Sequence, residues 1–562
     1  MTKMVGVIPL DDRMVNYEYM ALLGKMADMT LLLPPKAWLG NPWRVGAMEK
    51  LRDWLREVAR TADCLIVAID TLGYGGLVNS RRSEDEVTAV LHRLQILHDL
   101  KAEYPNLTLL AYNILMRISR SNSSEEEKPY WRQHGAQLFR LSVLEDRVAM
   151  RVADGDEQAE LVALRVELPS EIVTDYKNGR LRNHTINQTM IDWAAEGIFD
   201  YLIIPQDDTV DYGWNIAEAR KLRQKVVQLG LNQRVSVYPG TDEIDMLLLA
   251  RYVAQDADYR PTFWTRYSSV RHGQVITAFE DRPLEEVIKA HLEPLGAFLA
   301  DDVREADILL YVNGPAEVQG NGPDQYAVLL SEEEIAAMPK VVQTAVSEYR
   351  QLSSIPNTLR EMHTPQRNLV EFVRSLETAV WAGKSCAVVD VAYVNAGDKV
   401  LGDLLQQFVP LAQLAAYGGW NTAGNTLGTV LAQAVIRQVQ KARGGTEAAL
   451  VAHAEFLFLR FVEDILYMAN LRSKVMLEVL PLLGIVPTLG KLGEAAAQVT
   501  EILRLQLVEM AAALAESHFV GQRIEGGGTA VVLQNLQITE LWLSWGRLFD
   551  LSMTIESNIE KE

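Results

Sequence analysis

The most specific chemical signal in the sequence is a pair of adjacent acids, Asp207 and Asp208, in the segment QDDTVDYGW (206–214). Consecutive side chains at the end of a strand diverge, so the two carboxylates can have different surroundings. One can stay ionised and stabilise a developing cation. The other, with a pKa raised by its neighbour and by burial, can donate a proton. The competing interpretation is a helix-capping aspartate beside a solvated one.

Other polar residues directly follow apolar runs and could position a polyhydroxylated ligand. Carboxylates, amides and arginines bind hydroxyl groups, and aromatic faces cover sugar rings. For each of them a helix cap, a surface ion pair or a core aromatic is the structural alternative. The candidate binding residues of this kind are Asp11, Asp12, Arg13, Asp70, Arg81, Asn113, Arg117, Tyr212, Asp242, Trp264 and Asn313.

A second motif, GGWNTAGNTLG (418–428), follows an apolar run and opens a helical pattern. Backbone N–H groups at a helix N-terminus favour anions or sugar hydroxyls. Small residues let a ligand approach the backbone closely. We therefore expect Trp420, Asn421 and Asn425 to bind the same ligand as the acids above.

These residues need a scaffold that brings them to one place, and the pattern of apolar runs predicts a parallel α/β fold. Buried parallel strands are rich in Val, Ile and Leu and do not alternate with polar residues. Helical patterns separate them, which is typical of βα repeats. The eight runs are VGVIPL (5–10), MTLLLPP (29–35), CLIVAID (64–70), LTLLAYN (107–113), YLIIPQDD (201–208), VSVYPG (235–240), PTFWTRYSS (261–269) and DILLYVNGP (307–315).

Eight such runs suggest a closed, TIM-barrel-like sheet, with Rossmann-like open sheets as the alternative. In both architectures ligands bind at the carboxyl ends of the strands. We expect a catalytic or binding domain over residues 1–315, with 118–190 as an insertion or lid. A smaller α/β unit would cover 316–430 and a mainly helical C-terminal domain 431–562.

The composition limits the classes of partner. The chain has 562 residues and a net charge of −20, which disfavours nucleic acid and anionic membranes as partners. Two isolated cysteines, Cys64 and Cys386, cannot form a zinc site, and buried thiols fit a reducing compartment. We expect a cytoplasmic protein without a signal peptide or cofactor, able to form a homo-oligomer. Mg²⁺ or Mn²⁺ on Asp11, Asp12, Asp207 and Asp208 is the metal alternative.

Four motifs in order resemble an uncharacterised bacterial family whose name records only that its function is unknown. They are PLDDR (9–13), DTLGYGGLVNSR (70–81), QDDTVDYG (206–213) and GWNTAGNTLG (419–428), and the resemblance covers nearly the whole chain. Members usually carry proline after the opening Asp-Asp-Arg, where this chain has Met14. The resemblance implies no established activity.

The order of three strand ends also resembles barrel glycosidases of the hyaluronidase and O-GlcNAc-hydrolase type. These strand ends are Asp207-Asp208, Trp264-Thr265 and Asn313-Gly314-Pro315. The resemblance implies that the first acid orients an acetamido group and the second is the general acid. Most glycosidases use a pair of carboxyl groups as their catalytic residues. We therefore expect a carbohydrate-active enzyme, a glycoside hydrolase, or alternatively a non-catalytic protein that binds or senses a sugar or other polar metabolite.

Overall fold

The computed structural model describes residues 2–560, and this part of the chain packs as two compact units. The first unit comprises the described residues within Met1–Asp12, Met29–Leu248 and Phe279–Asp281. The second comprises those within Arg13–Asp28, Leu249–Ala278 and Arg282–Glu562. These units are defined by packing, and the functional division at residues 315 and 430 stays a prediction.

Sixteen strands lie within the described residues, and eight of them overlap the eight apolar runs of the sequence. They are β1 (Met4–Ile8), β2 (Thr30–Leu32), β3 (Cys64–Ala68), β4 (Thr108–Tyr112), β5 (Tyr201–Gln206), β6 (Val235–Pro239), β7 (Thr262–Tyr267), β8 (Phe298–Leu299), β9 (Ile308–Asn313), β10 (Gly320–Asn321), β11 (Ser385–Asp390), β12 (Tyr393–Val394), β13 (Ala416–Gly418), β14 (Arg523–Gly526), β15 (Thr529–Leu543) and β16 (Leu551–Ile559).

The α-helices alternate with these strands and become continuous towards the C-terminus. They are α1 (Glu18–Met26), α2 (Met48–Val58), α3 (Ile69–Tyr74), α4 (Leu77–Arg82), α5 (Val87–Leu94), α6 (Ile96–Glu103), α7 (Trp131–Ala149), α8 (Gly155–Glu167), α9 (Ser170–Glu196), α10 (Trp214–Gln228), α11 (Ile244–Asp256), α12 (Leu284–Leu295), α13 (Asp324–Leu329), α14 (Glu332–Ala337), α15 (Lys340–Tyr349), α16 (Ile355–Met362), α17 (Leu369–Trp381), α18 (Lys399–Phe408), α19 (Ala423–Arg443), α20 (Glu447–Phe461), α21 (Arg472–Lys474), α22 (Leu480–Leu482) and α23 (Ala496–His518).

Shorter helical turns complete the secondary structure. The 3₁₀ turns are Lys36–Trp38, Leu411–Gln413, Gly493–Ala495 and Ser544–Gly546, and the π-helical segments are Val462–Leu471 and Val475–Val479. No helix within residues 2–560 combines the length and the apolar character that crossing a lipid bilayer requires.

The first unit is built on a six-stranded parallel sheet with the strand order β2-β1-β3-β4-β5-β6. β3 and β5 are buried along their whole length, as expected of Val-, Ile- and Leu-rich strands that are covered on both faces. From β1 the chain passes to β2, which lies on one side of β1, and then to β3, which lies on the other side of β1. This reversal creates a topological switch point between β1 and β3, where ligands bind in open α/β sheets.

Residues 118–190, predicted to be an insertion or lid, lie between β4 and β5 and contain three helices, α7, α8 and most of α9. Their facing side chains form a local apolar core around Trp131, Leu138 and Leu164. Asp154 and Glu157 form a capping box that begins α8. Whether this region acts as a lid stays a prediction.

The second unit contains a five-stranded parallel sheet with the order β13-β11-β9-β7-β8. When the five strands of this sheet are numbered along the chain and read from the β8 edge, their order is 2-1-3-4-5, which the first five strands of the first sheet also follow. The C-terminal part of this unit adds α19, α20 and an antiparallel sheet of β14, β15 and β16.

The TIM-barrel-like prediction is wrong for the part of the chain that the structure describes. β6 pairs only with β5, and β7 pairs with β8 and β9 instead of continuing the first sheet. The eight apolar runs are therefore divided between two open sheets, neither of which closes. The alternative prediction, Rossmann-like open sheets, agrees with this topology.

Candidate functional site

The adjacent acids Asp207 and Asp208 follow β5 directly, at the carboxyl edge of the first sheet. The side chain of Asp207 is 8% exposed, whereas that of Asp208 is 27% exposed. The φ angle of Asp208 is +39°, a left-handed conformation that aspartate adopts more readily than most residues. The two neighbouring side chains therefore lie in different surroundings.

Each of these acids pairs with its own arginine. Arg81, in α4, donates from Nη2 to Oδ2 of Asp207 at 2.5 Å. Arg117, which follows β4, donates from Nη1 to Oδ2 of Asp208 at 2.9 Å. Charge-assisted bonds of this kind fix the orientation of both carboxylates. Four residues selected from the sequence thus lie together at one edge of the sheet.

Two glutamates that the sequence analysis did not select complete the group. Oε2 of Glu126 lies 3.0 Å from Nη1 of Arg81 and 3.1 Å from Nη2 of Arg117. Glu127, which is buried, accepts from Nε of Arg117 at 3.0 Å. Four carboxylates therefore share two guanidinium groups. We call this set the charged cluster: Arg81, Arg117, Glu126, Glu127, Asp207 and Asp208.

The surroundings of Asp208 favour its protonated form. Removal from water raises the pKa of Asp208 to about 6; Arg117 acts in the opposite direction, and the negative charge of Asp207 adds to the rise. Asp208 can therefore hold a proton at mildly acidic pH, where an ordinary aspartate is ionised.

Helix α9 holds the backbone from which both arginines extend. Arg180 donates to the carbonyl oxygen of Arg117 at 2.8 Å. Arg182 and Asn183 donate to the carbonyl oxygen of Ser80, the residue before Arg81, at 2.8 and 3.1 Å. All three α9 side chains are buried. They are positioning residues for the charged cluster.

The sequence interpretation misses these positioning residues because it treats their helix as part of an insertion. A signal for them is nevertheless present. Two of them, Arg180 and Asn183, are three residues apart, and Asn187 follows four residues later, which places these three polar residues on one helical face. A polar face on a helix next to the carboxyl ends of strands is what identifies them.

Asp70 and Asn113 form a second polar group at the same edge. Nδ2 of Asn113 donates to Oδ2 of Asp70 at 3.1 Å, and the backbone N–H of Ile114 donates to the same oxygen at 2.8 Å. Asn187 of α9 donates to Oδ1 of Asn113 at 2.9 Å. Burial raises the pKa of Asp70 to about 6. The predicted residues Asp70 and Asn113 are thus in direct contact.

Asp11, Asp12 and Asp242 lie near the carboxyl ends of β1 and β6. Asp12 pairs with Arg44 at 3.2 Å. Asp11 and Asp242 are buried, and both add negative potential at Asp245. Burial is the main cause that raises the pKa of Asp245 well above its ordinary value. These predicted residues belong to an acidic group of the first unit.

Three residues that the sequence predicts to bind a ligand lie outside these polar groups. The ring of Tyr212 packs under the guanidinium of Arg147 at 5.0 Å. Arg13, in the second unit, lies over the ring of Trp545 at 4.7 Å. Trp264 is partly exposed and lies within β7, three residues before that strand ends. Their role in binding stays a prediction.

In the second unit, Asn313 ends β9 and is the centre of another polar group. Its Nδ2 donates to Asp390 at 2.8 Å and to Asp398 at 3.3 Å. Its Oδ1 accepts from Arg367 at 3.1 Å. Arg367 also pairs with Asp398 and, at 3.0 Å, with Glu361. We call these five residues the Asn313 network.

The Asn313 network is almost completely removed from water. The Arg367 side chain is 5% exposed, and those of Glu361 and Asp398 are 1% exposed. Burial raises the pKa of Glu361 to about 7, and it also raises the pKa of Asp390. Each of these groups has several hydrogen-bond or ion-pair partners, which is the condition for a stable buried polar network.

Trp420 follows β13 and is 3% exposed. Its ring lies 5.7 Å from the guanidinium of Arg460, which pairs with Asp464 in the π-helical segment. Asp464 in turn accepts from the backbone N–H of Gly419 at 2.7 Å. The start of the GGWNTAGNTLG motif is therefore bound to a buried ion pair of its own unit.

The rest of this motif begins α19. Thr422 is the N-cap residue, and its hydroxyl oxygen accepts from the backbone N–H of Asn425. Asn421 accepts from the backbone N–H of Thr422 through its side chain at 2.9 Å. Thr422 thus explains the helix start, while a binding role for Asn421 and Asn425 stays a prediction.

Asp11 and Asp207 belong to the first unit and Trp420 to the second, so a common site for all three stays a prediction. Within residues 2–560, no group of three or more His, Cys, Asp and Glu side chains is arranged to hold a metal ion.

Comparison with known proteins gives a family without an assigned activity. Searches of curated proteins and of solved structures found no significant match to the chain. A family model described as "Protein of unknown function (DUF4127)" matches residues 5–554. Since the match covers nearly the whole sequence, the chain belongs to this family of proteins of unknown function.

Proposed function

We propose that the chain is a glycoside hydrolase in which Asp208 donates a proton to the leaving oxygen and Asp207 is the partner carboxylate. The observation that carries this proposal is the contrast between two adjacent acids. Asp207 is buried against Arg81, whereas Asp208 is partly exposed and has a pKa raised to about 6. Most glycosidases cleave the glycosidic bond with one protonated and one ionised carboxyl group.

The substrate of this enzyme would be a small carbohydrate. Asp70 and Asn113 lie at the same edge of the sheet but are buried and bonded to each other, so a sugar would meet the partly exposed Asp208 instead. Arg117 fixes the proton donor and would keep it directed at the leaving oxygen. No cofactor is required for this chemistry.

The test uses aryl and alkyl glycosides that differ in how much they need an acid. Asp208→Asn should lower kcat/KM for alkyl glycosides by about 10²–10⁴-fold, because general acid catalysis contributes about that factor. Dinitrophenyl glycosides, whose leaving group needs no proton, should be affected far less. Asp207→Asn should lose activity on both. The wild-type rate should fall as the pH rises above about 6, because Asp208 then loses its proton.

Asp211→Asn is the matched control. Asp211 lies in the same loop and is exposed, so its removal should leave the rate unchanged. Full activity of both Asp207→Asn and Asp208→Asn on an alkyl glycoside would show that the catalytic assignment is wrong.

A second candidate is a protein that binds or senses a sugar or polar metabolite without turnover. It is favoured by one observation, namely two open parallel sheets whose first five strands have the same order, each with polar residues at its carboxyl edge. Ligand-binding proteins of the doubly wound class use this edge. Thermal stabilisation by free sugars, together with no release of nitrophenol from any glycoside, would support this candidate over the hydrolase.

A further inference from the structure

The second unit contains a buried arginine, Arg437 of α19, that has no carboxylate partner within residues 2–560. It is 3% exposed. Its guanidinium donates to Oε1 of Gln440 and, at 2.6 Å, to the backbone carbonyl oxygen of Glu525. Both acceptors are uncharged oxygens. Arg437 is therefore a buried cation whose charge no ion pair neutralises in the described part of the chain.

Lys441 follows Arg437 by four residues, so the two side chains extend from the same face of α19. The Lys441 side chain is partly buried, and its amine forms no hydrogen bond or ion pair with any described residue. Its positive charge acts on Cys386 of β11 and on His453 of α20. Neither of these groups is a carboxylate, so the immediate surroundings of Lys441 supply no fixed negative charge.

These surroundings favour the neutral form of the Lys441 amine. Burial lowers the pKa of Lys441 to about 8, and the positive charge of Arg437 adds to the fall, whereas an ionised Cys386 would oppose it. Burial raises the pKa of the Cys386 thiol to about 12, so this group stays uncharged near neutral pH. Burial lowers the pKa of His453, which is also uncharged there. Lys441 is thus a nucleophilic amine beside a fixed cation.

The charges around Lys441 indicate the class of reagent that suits it. Acylation converts the amine into an uncharged amide, which Arg437 does not repel. Lys384, which is exposed and also acts on Cys386, adds positive charge on a chain whose net charge is −20. A local positive potential attracts anionic reagents. An acyl phosphate combines both properties, since it has an electrophilic carbonyl carbon and an anionic leaving group.

We propose that Lys441 is an acyl acceptor for small acyl phosphates. Its neutral amine attacks the carbonyl carbon, a C–N bond forms and the C–O bond to phosphate breaks. The phosphate leaves with the electron pair of that bond and takes up a proton from the nitrogen. The reaction needs no oxidant, reductant or cofactor. It is independent of the proposed glycoside hydrolysis, because none of the groups that carry it belongs to the charged cluster.

The test treats the full-length protein with acetyl phosphate and measures the acetylation rate at each lysine by mass spectrometry. Lys340 and Lys474, two exposed lysines of the same unit, are the internal references. At about pH 7.5 Lys441 should react about tenfold faster than either, because its neutral fraction is much larger than that of an ordinary lysine. Its rate should level off above about pH 8, whereas an ordinary lysine reacts faster up to about pH 10.

Arg437→Met tests whether the neighbouring charge activates the amine. Loss of this charge should raise the pKa of Lys441, move the plateau to higher pH and slow acetylation severalfold at about pH 7.5. Arg443→Met is the matched control, since Arg443 lies on the same helix but is exposed and pairs with Asp256 at 3.3 Å. It should behave like the wild type. Melting curves verify folding, and the wild-type pH profile tests the proposal even where Arg437→Met does not fold.

Each outcome decides the proposal. Selective acetylation of Lys441 with a plateau near pH 8 supports it. Equal rates at Lys441 and the two references, or a rate at Lys441 that still rises steeply above about pH 9, overturns it. The uncharged donor p-nitrophenyl acetate tests the preference for a phosphate. Selectivity for Lys441 with this ester but not with acetyl phosphate would reject acyl phosphates as the reagent.

Discussion

The charged cluster of the first unit and the Asn313 network of the second each lie at the carboxyl edge of a parallel sheet, yet their side chains differ in exposure to solvent. Both follow strands of parallel sheets whose first five strands have the order 2-1-3-4-5, and both combine arginine with several carboxylates. In the charged cluster the side chain of Asp208 is 27% exposed and that of Glu126 20% exposed. In the Asn313 network the most exposed ion-pair member, Arg367, reaches 5%.

This difference agrees with the proposal that the charged cluster serves chemistry while the Asn313 network serves stability. Fully paired buried charges fix a conformation, since removing one partner leaves the other uncompensated. Partly exposed charges can exchange partners with a ligand. The left-handed backbone at Asp208 agrees with this division, because unusual backbone conformations of non-glycine residues concentrate at functional sites.

The largest effect should follow from breaking the Asn313 network. Arg367→Met removes the positive charge that Glu361 and Asp398 share. Leaving a buried charge unpaired costs about 3–5 kcal/mol. The free energy of unfolding, measured by urea titration with circular dichroism, should fall by this amount.

Arg304→Met is the control for this substitution. Arg304 pairs with Asp302 in the same unit, but its side chain is 85% exposed. Surface pairs contribute at most about 1 kcal/mol, so its loss should hardly change stability. If Arg367→Met costs no more than Arg304→Met, the network does not stabilise the unit and the contrast between the two regions disappears.

The second prediction concerns the pH dependence of stability. Burial raises the pKa of Glu361 to about 7, above the ordinary value of a glutamate. The folded state then binds more protons than the unfolded state, so stability is greatest below the ordinary pKa and is lost as the pH rises through about 7. We expect the unfolding free energy to fall by about 1–3 kcal/mol between pH 5 and 8, since one pKa unit corresponds to about 1.4 kcal/mol.

Glu361→Gln tests the origin of this pH dependence. The amide retains an oxygen for Arg367 and for the backbone N–H of Ala316 but cannot ionise. The loss of stability between pH 5 and 8 should therefore be smaller in this variant. An equal loss in the variant and the wild type would assign the effect to other groups.

The sequence predicts the strands of both sheets because a strand buried on two faces needs an uninterrupted apolar run. Runs such as CLIVAID and YLIIPQDD became β3 and β5 for this reason. The sequence does not predict whether these strands close into a barrel. Whether β7 continues the first sheet or begins a second one depends on pairing partners that are distant in the chain, and such pairing leaves no local pattern.

The apolar runs also predict part of the candidate site. Asp207, Asp208, Arg81 and Arg117 were found because they follow apolar runs, and the structure brings them into contact. Glu126 and Glu127 were missed because three consecutive glutamates in a polar stretch are typical of a solvated loop. The ion pairs to Arg81 and Arg117, and the burial of Glu127, distinguish them from surface residues.

The smallest effect on stability should come from Asp208→Asn, and it sharpens the contrast most directly. Asparagine also adopts left-handed conformations, and Asp208 is partly exposed, so Asp208→Asn should change the unfolding free energy by less than about 1 kcal/mol. Asp208→Val, whose branched side chain fits a φ of +39° poorly, should cost about 1–3 kcal/mol. A urea titration compares both with Arg367→Met. If Asp208→Asn destabilised the protein as much as Arg367→Met, the charged cluster would be a structural network too, and exposure would not separate chemistry from stability in this fold.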